Sequence, residues 1–455
     1  MSGPPVRSAG RRLALAKGVR FTCRGCGDCC RDWPVALTPA EVARYRARDW
    51  TPLLGPDPGG GLHDVVYEAP AHGGAPGHFL RRRPDGTCLF LDADARCRLH
   101  ATYGEGDKPL TCRLYPFGFV DVEGRDRPAC GAAFTCSSVA AGDGAPITER
   151  RRELDLLRDE LVAVRSPATR PGPFTFDRRR SYAPAEVELV LDLVAAELED
   201  AGRPFPERVL AATHFLALLS SSSLPTLEGE TPRKLVASFA AGVRDQARRG
   251  LLRAPERAPP LPERLLLRQL LALAARRDPI TLHGRGELRR APRRLGNLLS
   301  GLAFLAGDGA WRPVARDKRV SVGRVRREAP PVDPASPEAD GALTRYFVAH
   351  LTARTTLAAW FAVPEVLAGL GLLFRQYPLI LLFARGACLA RGGARVERDD
   401  FAAALRMADW SFGHVPWTRG PIGRVRARLL ERVDRALAHV PWAAERPRRA
   451  GAAAP

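Results

Sequence analysis

The run Cys23-Arg-Gly-Cys26-Gly-Asp-Cys29-Cys30 places four cysteines in eight residues. Cysteines three apart, with Gly25 and Gly27 between them, let a loop fold around one ion or cluster and turn several sulfurs inward. Four thiolates this close repel one another, and a cation or an iron–sulfur core removes that cost by holding them deprotonated. Arg20, Arg24 and Arg31 flank the run and offset negative charge that remains. More thiols follow at Cys88, Cys97, Cys112, Cys130 and Cys136, so nine of the ten cysteines lie between positions 23 and 136. Cys388 stands apart in the apolar run Leu379–Leu389 and reads as core. The expected metal ligands are Cys23, Cys26, Cys29, Cys30, Cys88, Cys97, Cys112 and Cys136, with Cys130 left open. Adjacent Cys29 and Cys30 need not serve one ion, so one four-ligand site and two sites both stay open.

Spacing leaves the metal open between Zn2+ and iron. Zinc is satisfied by four thiolates in a closed tetrahedron. A [4Fe-4S] cluster also takes four, and C-x2-C-x2-C opens ferredoxin-type runs. The fourth ferredoxin cysteine, followed by proline, is missing, because Arg31 follows Cys30. The C-x3-C-x2-C spacing of radical enzymes is missing too, with Trp33 standing where its third cysteine would be.

These thiols need elements to position them. The cysteine-rich third carries Gly, Pro and Asp, and short strand-like runs at His78–Arg82 and Cys88–Leu91. Thr38-Pro39-Ala40-Glu41 predicts a helix start, combining an N-cap, a proline at the first position and a reciprocal Glu. Asp92-Ala93-Asp94 predicts a tight turn joining the Cys88 and Cys97 arms. After Cys136 the pattern becomes helical at Ile147–Arg165, Ala183–Ala201, Pro206–Ser220 and Leu261–Arg276, with breaks at Pro167–Pro173, Gly202–Pro206 and Ala254–Pro262. The predicted fold is mostly α: a small loop-rich cysteine domain followed by an all-helical body. Its predicted divisions are a flexible N-terminus at 1–20, the metal domain at 21–140, a helical region at 141–328, a Pro-rich linker at 329–341, a C-terminal helical region at 342–440 and a disordered tail at 441–455.

With 455 residues, 45% hydrophobic and 26% charged, the chain can bury a core and cannot be disordered throughout. The N-terminus offers only a four-residue Leu/Ala run where a secretory leader needs roughly 7–15 apolar residues. The apolar stretch Val363–Leu389 is interrupted by Glu365, Arg375, Gln376 and Arg385 and reads as buried helices with no membrane role. The expected compartment is the cytoplasm, where metal ligation explains clustered cysteines better than disulfides. The net charge of +20 raises a nucleic-acid-binding alternative. Only four of the 70 basic residues are lysine, which reflects coding bias as much as a basic face, so a nucleic-acid partner is not favoured. The Arg runs at 81–83, 150–152, 178–180 and 289–294 read as solvated surface.

No triad or paired-carboxylate site stands out, and no catalytic residue is assigned. His63, His72 and His78 read as loop residues, whereas His100, three after Cys97, is the best histidine for a ligand or its support. Tyr115, Pro116 and Phe117 read as cover that keeps water from the centre. Gly369-Leu-Gly371 reads as a packing feature and not a nucleotide loop.

Phe21-Thr-Cys23-x2-Cys26-Gly-Asp-Cys29-Cys30, Cys88-Leu-Phe-Leu, Cys97-Arg-Leu-His100 and Lys108-Pro109-x2-Cys112-Arg113-Leu-Tyr115-Pro116-Phe117 together resemble the CxxCxxCC cysteine-cluster family over about residues 21–120. That resemblance implies a zinc- or iron-chelating domain. The sequence departs from the family's pattern at His100, usually Tyr, and at Lys108, usually Arg. A second resemblance adds Thr135-Cys136, Leu343-Thr-Arg-Tyr346-Phe-Val-Ala-His350 and Asp399-Asp400-Phe401 through His414, and is similar to flagellin lysine N-methylases. It implies an enzyme that uses S-adenosylmethionine on a protein substrate such as flagellin. The leading expectation is a protein chelating an iron–sulfur cluster or zinc, with the methylase and the nucleic-acid binder as alternatives.

Overall fold

The computed structural model describes residues 12–445 apart from 57–62, 71–75, 124, 126, 165–169, 171, 255–257, 277–286, 315, 359–360, 362, 411 and 413–419. Residues 1–11, His72, His414 and 446–455 lie outside the described residues, whereas 441–445, expected to open a disordered tail, are packed: Val440–Ala444 is helical, with Ala443 and Ala444 buried.

The chain opens with β1 (Ala14–Leu15) and β2 (Arg20–Phe21), then α1 (Asp28–Asp32), α2 (Pro39–Ala47) and α3 (Thr51–Leu54). Thr38 caps α2 as predicted. Its hydroxyl accepts from the Glu41 amide at 3.3 Å, and the Glu41 carboxylate accepts from the Thr38 amide at 2.8 Å. A hairpin of β3 (Val66–Pro70) and β4 (Pro76–Leu80) follows, then α4 (Arg98–Tyr103), α5 (Leu110–Leu114), β5 (Phe117–Val120) and β6 (Ala129–Ala132). Residues 12–20, expected to be flexible, are packed: β1 runs parallel to β6, β6 pairs antiparallel with β5, and Leu13, Ala16 and Val19 are buried. Next come α6 (Ser137–Ala141), β7 (Ala145–Pro146), which pairs with β2, and α7 (Arg151–Val164).

The body is helical, broken by the small hairpins β8 (Phe174–Asp177) with β9 (Arg180–Tyr182) and β10 (Ala310–Trp311) with β11 (Val320–Ser321). Its helices are α8 (Pro184–Leu198), α9 (Phe205–Ser221), α10 (Glu230–Arg248), α11 (Leu261–Ala275), α12 (Glu287–Ala306), α13 (Val322–Glu328), α14 (Pro337–Thr352), α15 (Val366–Phe374), α16 (Gln376–Arg391), α17 (Arg398–Asp409), α18 (Gly420–Leu430) and α19 (Val440–Ala444). The predicted linker at 329–341 is part of this packing. Ala329 and Val332 are buried, and Pro337 starts α14 with Ser336 as its cap.

Within the described residues, Val366–Arg391 is long and apolar enough to cross a membrane by length and composition, and its most apolar stretch is buried inside the fold. Two of its three arginines, Arg375 and Arg385, are what make burial possible. The Arg385 guanidinium donates to the carbonyls of Pro330, Ala443 and Glu445 at 2.8–3.0 Å, collecting chain ends that would otherwise lack donors. Arg375 pairs with Glu263 at 2.9 Å, both fully buried, and donates to the Leu429 carbonyl at 2.6 Å. Gly371 permits this approach, since a Cβ there would collide with the Leu430 carbonyl. The glycine pair is a packing feature, as its position in an apolar helix suggested.

Two cores result. A small one gathers Val35, Tyr45, Trp50, Leu80, Cys88, Phe90 and Leu99, with Cys30, Cys97 and Cys112 packed against it. The large one fills the helical body and also takes Phe117, Cys130, Phe134 and Cys136. The packing therefore divides the cysteine region near Tyr115, whereas the sequence suggested one unit to residue 140.

Candidate metal centre

Gly27 starts the site. It holds φ +69°, in the left-handed region open to glycine, and turns the chain into α1, on which Cys29 and Cys30 lie. A Cβ at Gly27 would press on Arg31, Leu91 and Ala95, so the loop sits tightly on the next cysteine arm. That arm is tied back by the Cys88 amide, which donates to the Cys30 carbonyl at 2.9 Å. Arg82 donates to the same carbonyl at 2.9 Å. Bridges Arg82–Cys88 and Leu91–Cys97 fold two short arms about the predicted turn, which Asp92 closes by accepting from the Arg96 amide at 2.7 Å. Cys88–Leu91 is thus a turn between isolated bridges, not a strand. Cys97 precedes α4, and α5 carries Cys112. The Glu41 carboxylate accepts from the Leu110 amide at 2.6 Å, so one residue both caps α2 and docks the Cys112 helix.

All ten cysteines are free thiols. Cys23, Cys26 and Cys29 are exposed, Cys30, Cys97 and Cys112 half-buried, and Cys88 and Cys136 buried. Hydrogen bonding with Cys30 and then burial push the Cys29 pKa well up, and Lys108 pulls against them. Burial raises Cys112, with the thiols of Cys88, Cys29 and Cys97 adding to the shift and Lys108 again opposing it. Burial brings Cys88 to about 11, with Cys97 also raising it. Burial brings Cys136 to about 11 against the amides of Val139 and Ser138, and Cys26 and Cys29 raise it further. Cys29 thus acts on Cys112 on one side and on Cys136 on the other. Cys26 also meets the Ser137 hydroxyl at 3.3 Å.

Cys130 lies outside this neighbourhood. It is fully buried in β6 and reaches about 12 through burial and Asp155. Cys388, also fully buried, bonds the carbonyls of Gly393 and Arg395, in keeping with a core residue. Cys23 stands exposed in the loop between β2 and α1. His100 is exposed on α4. His63 bonds the Gly55 carbonyl at 2.7 Å, whereas His78, expected in a loop, lies in β4 and bonds the Glu68 carboxylate across the hairpin at 3.1 Å.

Among the described residues, no three His, Cys, Asp or Glu side chains converge closely enough to hold a metal ion. The fit to a soft metal rests on donor chemistry instead. Thiols from four segments lie within electrostatic reach of one another and disfavour ionisation at Cys29, Cys88 and Cys112, opposed by Lys108 at Cys29 and Cys112 and by Arg82 and Arg83 at Cys88. A bound cation reverses that balance for every thiol at once.

The flanking arginines serve the frame. Arg20 donates to the Gly144 carbonyl at 2.9 Å, Arg31 to the Cys26 carbonyl at 3.0 Å, and Arg24 pairs with Asp143. Local pattern gave no sign of the role of α17. At its start Arg398 holds the Ala141 carbonyl at 2.6 Å and Asp143 at 2.7 Å. At its end Arg406 donates to Asp28 at 2.7 Å and to the Thr135 carbonyl at 3.0 Å. Asp409 accepts from the Thr135 amide at 3.2 Å, and Trp410 packs on Trp33 with ring centroids 4.9 Å apart. Tyr115 reaches the Thr135 hydroxyl at 3.3 Å, and Phe117 packs edge-on against Phe21 at 5.3 Å.

Residues 22–131 match the model of the CxxCxxCC family, whose description is "Putative zinc- or iron-chelating domain". This match bears out the first resemblance over that segment. No curated protein matches the chain, and no solved structure does. The resemblance to flagellin methylases, with its S-adenosylmethionine and protein substrate, gains no support from these findings, and neither does a nucleic-acid partner.

Proposed function

We propose that this chain is a metal–thiolate protein, in which cysteines from the N-terminal third hold zinc or an iron–sulfur cluster and the helical body fixes their loop. The observation that carries the reading is the mutual action of Cys29, Cys30, Cys88, Cys97 and Cys112, brought from four segments into one electrostatic neighbourhood. Four of these five thiols satisfy either a tetrahedral Zn2+ or a [4Fe-4S] cluster. Zinc supplies a structural staple there, and an iron–sulfur cluster supplies a one-electron centre. Lys108 offsets part of the negative charge of the ligated thiolates. Trp50 and Phe90, both fully buried, hold the dry side of the Cys88 arm.

Purification without air, with a visible spectrum and zinc, iron and sulfide analysis, tests the reading. The wild type and Cys388→Ser are expected to carry metal near one site per chain or more, and Cys112→Ser and Cys29→Ser to lose it. Broad visible absorption with matched iron and sulfide identifies a cluster, and a colourless zinc protein identifies the closed site. Metal at background in the wild type, or undiminished in both ligand variants, overturns the proposal.

A further inference from the structure

Helix α12 is mounted with its apolar side outward. Leu295, Leu298, Leu299 and Leu302 recur at the spacing that stacks side chains on one helix face, and they are 57%, 60%, 58% and 53% exposed. Gly296 and Ala303 extend the same exposed side. The opposite side anchors the helix. Phe304 is 1% exposed, and Arg268 of α11 donates to the Leu305 carbonyl at 2.6 Å. A contiguous aliphatic stripe of this kind is unusual on a soluble surface unless something covers it. A second helix repeats the chemistry: α18 exposes Ile422 and Val425 beside exposed Arg424 and Arg428. Both helices pack on α11, α18 through Arg426 and Gln269 at 3.0 Å.

We infer that α12 and α18 form a docking surface for an anionic lipid bilayer, with α12 lying along the interface. Three observations select this occupant. The chain carries a net charge of +20, and the sequence of α12 itself includes Arg289, Arg290, Arg293 and Arg294, the composition of a basic interfacial helix. Among the described residues every exposed large hydrophobic is Leu, Ile or Val, whereas protein interfaces concentrate Trp and Tyr at their centres. A second copy of a +20 chain is repelled, and a nucleic acid gains nothing from leucines. A surface-lying helix requires no spanning segment, so the buried state of Val366–Arg391 is compatible with it.

Co-sedimentation of the full chain with vesicles tests the inference. Binding is expected to vesicles containing phosphatidylglycerol, to weaken with salt, and to be absent with phosphatidylcholine alone. Leu298→Asn/Leu302→Asn is expected to bind about 10- to 50-fold more weakly with unchanged melting, the scale set by burying the exposed half of two leucine side chains. Arg424→Gln/Arg428→Gln should weaken binding and flatten its salt dependence. Absence of binding to the anionic vesicles at low salt overturns the proposal. Undiminished binding by the leucine variant also overturns it, because charge alone then suffices. A wild-type dimer that the leucine variant dissolves would assign the stripe to self-association and refute the lipid reading.

Discussion

Replacing Arg406 by Leu removes the direct bond from α17 to Asp28 in the cysteine loop. The guanidinium is 11% exposed and joins Asp28, between Cys26 and Cys29, to the Thr135 carbonyl, one residue before Cys136. A hydrogen bond to a charged group contributes about 1.5–3 kcal/mol. Asp28 is 33% exposed, so solvent screening brings that pair to the lower end of the range. With the Thr135 bond, the loss in stability comes to roughly 2–3 kcal/mol. The effect on the centre is larger in proportion, because groups that orient metal ligands typically alter affinity about 10- to 100-fold when removed. Arg406→Lys keeps a charge for Asp28 but cannot hold both partners, and should fall between. Competition against a coloured chelator gives the affinity, and a thermal melt of the metal-loaded chain gives the stability. If Arg406→Leu melts lower yet binds metal as tightly as wild type, α17 supports the fold without holding the centre, and the reasoning fails.

Acid sensitivity should trace in part to His439. It is 3% exposed, its Nε2 lacks a partner, and burial with Arg375 and Arg264 nearby lowers its pKa from 6.5 to about 4. Its contribution is therefore complete above pH 6.5. Between 6.5 and 4 the unfolded chain takes up a proton that the folded chain refuses, so stability falls by roughly 3 kcal/mol. Denaturant titrations of wild type and His439→Leu should differ in slope over this window, and parallel profiles would remove His439 from the account. Arg375→Met should cost about 3–5 kcal/mol by stranding the buried Glu263 carboxylate. Adding Glu263→Met should recover part of that in equilibrium unfolding, and additive losses would show that the pair is not coupled.

What the sequence made legible was local. Thr38 and Glu41 lie one turn apart, so the cap could be read without the rest of the fold, and the turn at Asp92 closes within four residues. Periodicity exposed α7, α8, α9 and α11, because each keeps exposed positions apart from its buried ones. It did not yield α12, whose leucines face outward, against the rule that links an apolar stripe to the core. Residues 12–20 read as flexible and 329–341 as a linker for a different reason. Their partners are distant: Ala14 pairs with Ala129, and the Pro330 carbonyl is held by Arg385. A short strand or a proline-rich turn carries no mark of the group that will satisfy it from far along the chain.

The candidate site shows the same division. Thiol spacing identified a metal-binding segment, yet spacing cannot show that its cysteines serve two cores. Cys30, Cys88, Cys97 and Cys112 attach to the small core around Trp50 and Phe90, whereas Cys136 belongs to the body with Phe134 and Val139. Cys29 raises Cys112 of the first group and Cys136 of the second. The loop bearing Cys23, Cys26 and Cys29 is thus held from two sides, by the Cys88 arm through Cys30 and by α17 through Asp28. A shift of α17 along α6 would move Asp28 and Thr135 together, and with them Cys26, Cys29 and Cys136. A fragment ending at residue 140 would expose Phe117, Val120 and Phe134 and lose Arg406, so its metal affinity would underestimate that of the full chain. Metal binding and packing of the helical body are then one coupled equilibrium, and binding should raise the melting of both parts.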